Sequence, residues 1–96
     1  MISPELAQAV LSGEYNRLTI SNGKVIACHI NIHELAHKCK LWAYENKFII
    51  SSFIDPSTDN YQATLISNGY ELIDRFDANT EPKTIFAACE YILAKL

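Results

Sequence analysis

Glycine and proline are scarce, three of each in 96 residues, and they fall only at punctuation points along the chain. Collagen-like, low-complexity and linker-rich architectures are thereby excluded. Long apolar runs are missing too: none approaches the ~18 residues that a membrane-spanning helix needs. The opening Met1-Ile2-Ser3-Pro4-Glu5 has no basic stretch of the kind that starts a secretory signal. Cysteines are few and odd in number, with Cys28, Cys39 and Cys89 each in a largely apolar neighbourhood. That pattern predicts buried thiols in a reducing cytoplasm, not a disulfide framework. Positive charge is also short. Eight Lys and Arg stand against eleven Asp and Glu, a net charge of −3 and a pI near 5.5, the wrong sign for holding phosphate.

What remains is ordinary globular usage, 49% hydrophobic and 20% charged, which rules out disorder. The length suits one domain over residues 1–96, and such a chain buries ~60–70% of its surface on folding without staples. Ser3 as N-cap and Pro4 at the first helical position write the start of a helix that carries Leu6, Val10 and Leu11 and stops near Gly13. Arg17–Ile20 and Val25–Ile30 flank Asn22-Gly23, a hairpin signal. Asn31 and Glu34 have capping-box spacing and open a strong helix to about Asn46. At 100° steps Ile32, Leu35, Ala36, Cys39, Trp42 and Ala43 share its core face. His33, His37, Lys40 and Tyr44 form a second stripe, with Glu34, Lys38, Leu41 and Glu45 on the far side.

Phe48–Ile54 is apolar on both faces and predicts an interior strand. After the turn cluster Asp55–Asn60, Tyr61–Ser67 alternates, with Tyr61, Ala63 and Leu65 on one side. Asn68-Gly69 predicts a two-residue type I′ turn into a strand over Tyr70–Phe76. A last helix follows Asn79-Thr80, takes Pro82 in its first turn and buries Ile85, Phe86, Cys89, Ile92, Leu93 and Leu96. The expected fold is α+β and two-layered, in the order α-β-β-α-β-β-β-α, with two helices on one face of an antiparallel sheet.

One motif looks like chemistry. His33-Glu34-Leu35-Ala36-His37 is an H-E-x-x-H on the strongest helix, where two histidines one turn apart can share a zinc ion and Glu34 can act as base on a metal-bound water. A zinc-dependent hydrolase is therefore one reading. Against it, Lys40 stands where the extended motif has glycine, and Ala43 where it has a third histidine. Glu71, Asp74, Asp77 and Glu81 are the downstream carboxylates available as a third ligand. Cys28-His29 offers a structural alternative but lacks paired-ligand spacing. Two partly exposed histidines on a solvated helix face are the simpler account, with no metal and no cofactor.

From residue 31 the order α-β-β-β-α is that of a double-stranded-RNA-binding domain, but topology does not transfer function. Such domains clamp phosphates with lysines at the start of the last helix, and here Asp77-Ala78-Asn79-Thr80-Glu81-Pro82-Lys83 has one lysine and two carboxylates. Residues 31–96 hold six Lys or Arg against nine Asp or Glu, so no nucleic-acid partner is expected.

At Glu34-Leu35-Ala36-His37-Lys38-Cys39-Lys40-Leu41-Trp42-Ala43, and again over residues 79–93 (Asn-Thr-Glu-Pro-Lys-Thr-Ile-Phe-Ala-Ala-Cys-Glu-Tyr-Ile-Leu), the chain resembles small uncharacterised phage and prophage proteins. In those a short helix and an N-G-K hairpin precede a helix of the type L-A-x-K-C-x-x-W-A. The resemblance implies a phage accessory role, with no functional residues to carry over. Together these readings lead to a non-enzymatic protein that binds another protein or itself. Its candidate interaction surface is His33, His37, Lys40, Leu41 and Tyr44, where Leu41 lies about 160° from the core centre of its helix.

Overall fold

Short polar side chains set every helix start in the computed structural model, which describes residues 2–11 and 18–96. Ser3 opens α1 (Pro4–Val10), its hydroxyl accepting from the N–H of Leu6 at 3.1 Å, with Pro4 in the first turn where a missing N–H costs nothing. Asn31 opens α2 (Ile32–Glu45) by accepting from the N–H groups of His33 and Glu34 at 2.8 and 3.4 Å. Thr80 opens α3 (Glu81–Lys95), accepting from the N–H of Lys83 at 3.4 Å.

Among the described residues five strands form two sheets. β1 (Leu18–Ser21) and β2 (Lys24–Cys28) make a separate antiparallel hairpin, and both central residues of its turn, Asn22 and Gly23, have the positive φ that a type I′ turn demands. β3 (Phe48–Asp55), β4 (Asn60–Ser67) and β5 (Leu72–Ala78) make an antiparallel sheet in that spatial order. The chain is α+β.

Cross-strand register sorts the sheet into two faces. Ile50 opposite Leu65, and Ser52 opposite Ala63, point to the helices and are buried or half-buried. With Leu35, Cys39, Ile85, Phe86, Cys89 and Ile92 they build the core. Each large apolar side chain fully removed from water there contributes ~1.5–3 kcal/mol. α2 and α3 run in the same direction: Cys39 meets Cys89 partway along, and His33 shares a cleft with Glu81 where both helices begin. α1 packs across both, burying Leu6, Ala7 and Leu11. The Glu90 carboxylate of α3 ties it down, accepting from the Ser3 hydroxyl at 2.7 Å and the Ser3 N–H at 3.2 Å.

Three expectations need correction. β3 is an edge strand, not an interior one, so its outward side chains face solvent. The Asn68-Gly69 turn is not type I′. Gly69 is not among the residues of positive φ and Tyr70, at φ 64°, is, while the Tyr70 N–H reaches the Ser67 carbonyl at 2.9 Å and the Ser67 N–H the Glu71 carbonyl at 2.8 Å. That is a three-residue loop whose last residue takes the left-handed conformation, and it delays β5 to Leu72. Ile32 and Leu96, assigned to core stripes, are exposed because each sits at a helix end beyond the reach of the facing elements. α1 closes at Val10 with Leu11 as its cap; Gly13 and Arg17 lie outside the described residues.

Candidate functional site

The parallel start of α2 and α3 brings three of the five candidate residues together. His33, His37 and Lys40, spaced by turns of α2, line a cleft of about 130 Å³ with Ala36, and across it stand Glu81 and Ile85 of α3. A neighbouring cleft of about 350 Å³ joins His33 to Tyr61, Asn79, Thr80, Glu81 and Pro82. The Lys40 ammonium donates to the Ser52 hydroxyl at 2.9 Å, which pins it over the inner side of β3. Leu41 points elsewhere, into a groove of about 280 Å³ against Ala9 and Val10 of α1, with Lys38, Trp42 and Glu45. Tyr44 is exposed and lines none of these clefts.

The H-E-x-x-H histidines do share a cleft, and among the four downstream carboxylates Glu81 is the one beside them. Asp77 is turned to the opposite face of the sheet, where it accepts from the Gln62 amide at 2.9 Å. Glu71 and Asp74 line none of the three clefts. His29 meets the Thr19 hydroxyl at 3.3 Å beside the first hairpin. Among the described residues no three His, Cys, Asp or Glu side chains gather closely enough to hold a metal ion. Cys39 and Cys89 are buried free thiols inside the helix pair, where the Cys39 thiol and burial push the Cys89 thiol up. A thiol held protonated in the core is a packing group, not a nucleophile.

A different surface emerges on the sheet face turned away from the helices. Register places Ile49 opposite Ile66, and Ile66 opposite Leu72, so three apolar side chains form one row across all three strands. Leu72 at its end is 50% exposed. The next rows are Ser51, Thr64 and Arg75, then Phe53, Gln62 and Asp77, with Phe53 44% exposed. Side chains directly opposite on neighbouring strands stand ~4.5–5.5 Å apart, so the first row is continuous.

The two edges of the sheet differ. β5 carries Asp74, Arg75 and Asp77, and its register with β4 skips at Ile73, a bulge that bends the edge away from pairing. β3 pairs with β4 residue for residue without a slip, and from Phe48 to Ile54 it has no charge, proline or glycine. The sequence signal for this surface is the double-faced apolar pattern of Phe48–Ile54, which an edge strand with one solvent-facing side also produces. Among the described residues no helix is long and apolar enough to cross a membrane. No known protein family, curated protein or solved structure matches the chain.

Proposed function

We propose that this chain is a small non-enzymatic phage or prophage accessory protein that works by binding another protein or a second copy of itself in the cytoplasm. The phage setting is part of the proposal and rests on the residue patterns of α2 and α3 alone. The observation that carries the binding role is the outer sheet face, where the Ile49–Ile66–Leu72 row runs to the edge of β3 that no described strand pairs with. In the two-layer arrangement α2 and α3 occupy one face, and this row lies on the other. Apolar side chains in a contiguous row, rimmed by polar ones such as Thr64, Gln62 and Arg75, have the layout of an interface centre with its rim. The acidic balance of residues 31–96 speaks against nucleic acid as the partner.

The test is site-specific photo-crosslinking in the cell of origin, with a photoreactive side chain placed in turn at Leu72, Phe53 and, as a control, Gln8 on α1. The expected result is a discrete adduct at positions 72 and 53 and none at 8. Equal labelling everywhere, or no adduct at the sheet positions, overturns the reading. An adduct of twice the chain mass identifies a second copy, and any other mass a different protein.

A further inference from the structure

β3 has the sequence of a strand with neighbours on both sides, yet among the described residues only β4 pairs with it. Resting on the binding role above, we infer that the missing neighbour is β3 of a second copy, joined antiparallel about a two-fold axis through Ser51 to make one six-stranded sheet.

The register follows from the side chains. Antiparallel self-pairing must set residues of the same face opposite one another, so the axis passes through a residue. With Ser51 on the axis, Phe48 lies opposite Ile54 of the second copy on the helix side, and Ile49 opposite Phe53 on the outer side. Every exposed aromatic or aliphatic group of β3 then meets another, including Phe53 and Ile54, 44% and 56% exposed in the single chain. At each end Asp55, the last residue of β3, comes near Lys47 of the second copy, which has already left the strand at φ 71°. Asp55 is charged for this role, since the Ser57 hydroxyl and N–H, 2.7 and 3.0 Å from its carboxylate, hold its pKa below the ordinary value. Moving the axis to Ser52 sets Ile49 against Asp55, and moving it to Ile50 leaves Phe53 and Ile54 past the end of the second copy's β3. Of these three registers only the one through Ser51 pairs Phe48, Ile49, Phe53 and Ile54 with one another; Ile50, buried in the single chain, lies opposite Ser52. β5 cannot substitute, because its bulge and charges oppose pairing.

The pairing continues the outer rows, so that the Ile49–Ile66–Leu72 row gains Phe53 of the second copy. The two-fold also brings Ser51 against itself, which supplies the test. A lysine there sets two like charges directly opposite across the axis while remaining exposed in the single chain. Sedimentation equilibrium on untagged wild type, Ser51→Lys and Gln62→Lys, from about 10 μM to about 1 mM, reads the effect. Gln62 lies on the same face one strand inward, and is the control. The expected outcome is a wild-type dimer, an unchanged Gln62→Lys dimer, and dimerisation weakened at least ~10-fold in Ser51→Lys. A wild type monomeric throughout, or a dimer indifferent to Ser51→Lys, overturns the inference. Hydrogen exchange of the β3 amides in wild type gives the same answer without a variant, since edge amides must exchange more slowly at high than at low concentration. If that fails while crosslinking from Leu72 still yields an adduct with another chain, self-pairing is wrong and the binding role stands.

Discussion

The thiol of Cys89 donates to the backbone carbonyl of Cys39 across the α2–α3 interface at 3.4 Å, with both residues shut off from solvent. The Cys39 thiol beside it and the burial together hold Cys89 in its protonated form, far above the ordinary thiol range.

A pH dependence follows. The unfolded Cys89 ionises near ~8.5, while the folded one keeps its proton. The unfolded state therefore binds fewer protons above that pH, and stability falls as pH rises. Urea midpoints at pH 7, 9 and 10 should decline, and Cys89→Ala should flatten the decline. In a Cys28→Ser background neither remaining thiol should react with a thiol reagent at pH 8 until the protein is unfolded.

The β4–β5 loop makes a pair of predictions with opposite signs from those of a type I′ turn. Tyr70, 83% exposed, holds φ 64° at the cost that any side chain with a Cβ carries there. Tyr70→Gly should raise stability by ~0.5–1 kcal/mol after the added freedom of the unfolded chain is subtracted. Gly69 has no such φ, and a Cβ built on it would meet only the Ser67 hydroxyl at 3.8 Å. Gly69→Ala should therefore be neutral or stabilising by ~0.4–1 kcal/mol. Chemical denaturation of both variants checks this, and a marked loss in Gly69→Ala would restore the type I′ turn.

Much of the fold was legible because its signals are local. Asn31 and Thr80 mark their helices within one turn, and Asn22-Gly23 forces its hairpin. Leu35, Cys39, Ile85 and Ile92 repeat at a helical period and all four are buried. The edge position of β3 was not legible, since periodicity reports how apolar a strand is and not how many neighbours it has. Tyr70 was missed for a related reason: a side chain in the left-handed region is paid for by the loop around it, which its own identity does not reveal. Of the five candidate surface residues, helical spacing correctly grouped His33, His37 and Lys40, but it could not show that α1 takes the Leu41 side.

The histidine pair can be tested directly. His37 is exposed beside His33 and Glu81. His37→Ala should change stability by less than ~0.5 kcal/mol, as for surface positions generally. Native mass spectrometry of the untagged protein should show no chelator-removable zinc. One zinc per chain, lost in His37→Ala together with stability, would return the hydrolase reading.

Ser3 acts twice, as the cap of α1 and as the hand that Glu90 holds. Ser3→Ala should cost ~1–2 kcal/mol, more than a cap in isolation loses, by urea unfolding. Glu90→Gln should cost less, because an amide retains one acceptor for the Ser3 N–H.

That grip has a consequence in time. Ser3 and Glu90 are 87 positions apart in the chain. α1 has seven residues, too few to persist as a helix alone in water, and its docking partners lie on α2 and α3. On a ribosome it emerges before both and can find its seat only after α3 has been synthesised and has packed on the sheet. Leu6 and Leu11, buried in the folded chain, stay uncovered until then. The sheet and its two long helices are thus the part that must form early, and α1 is the latch that closes over them.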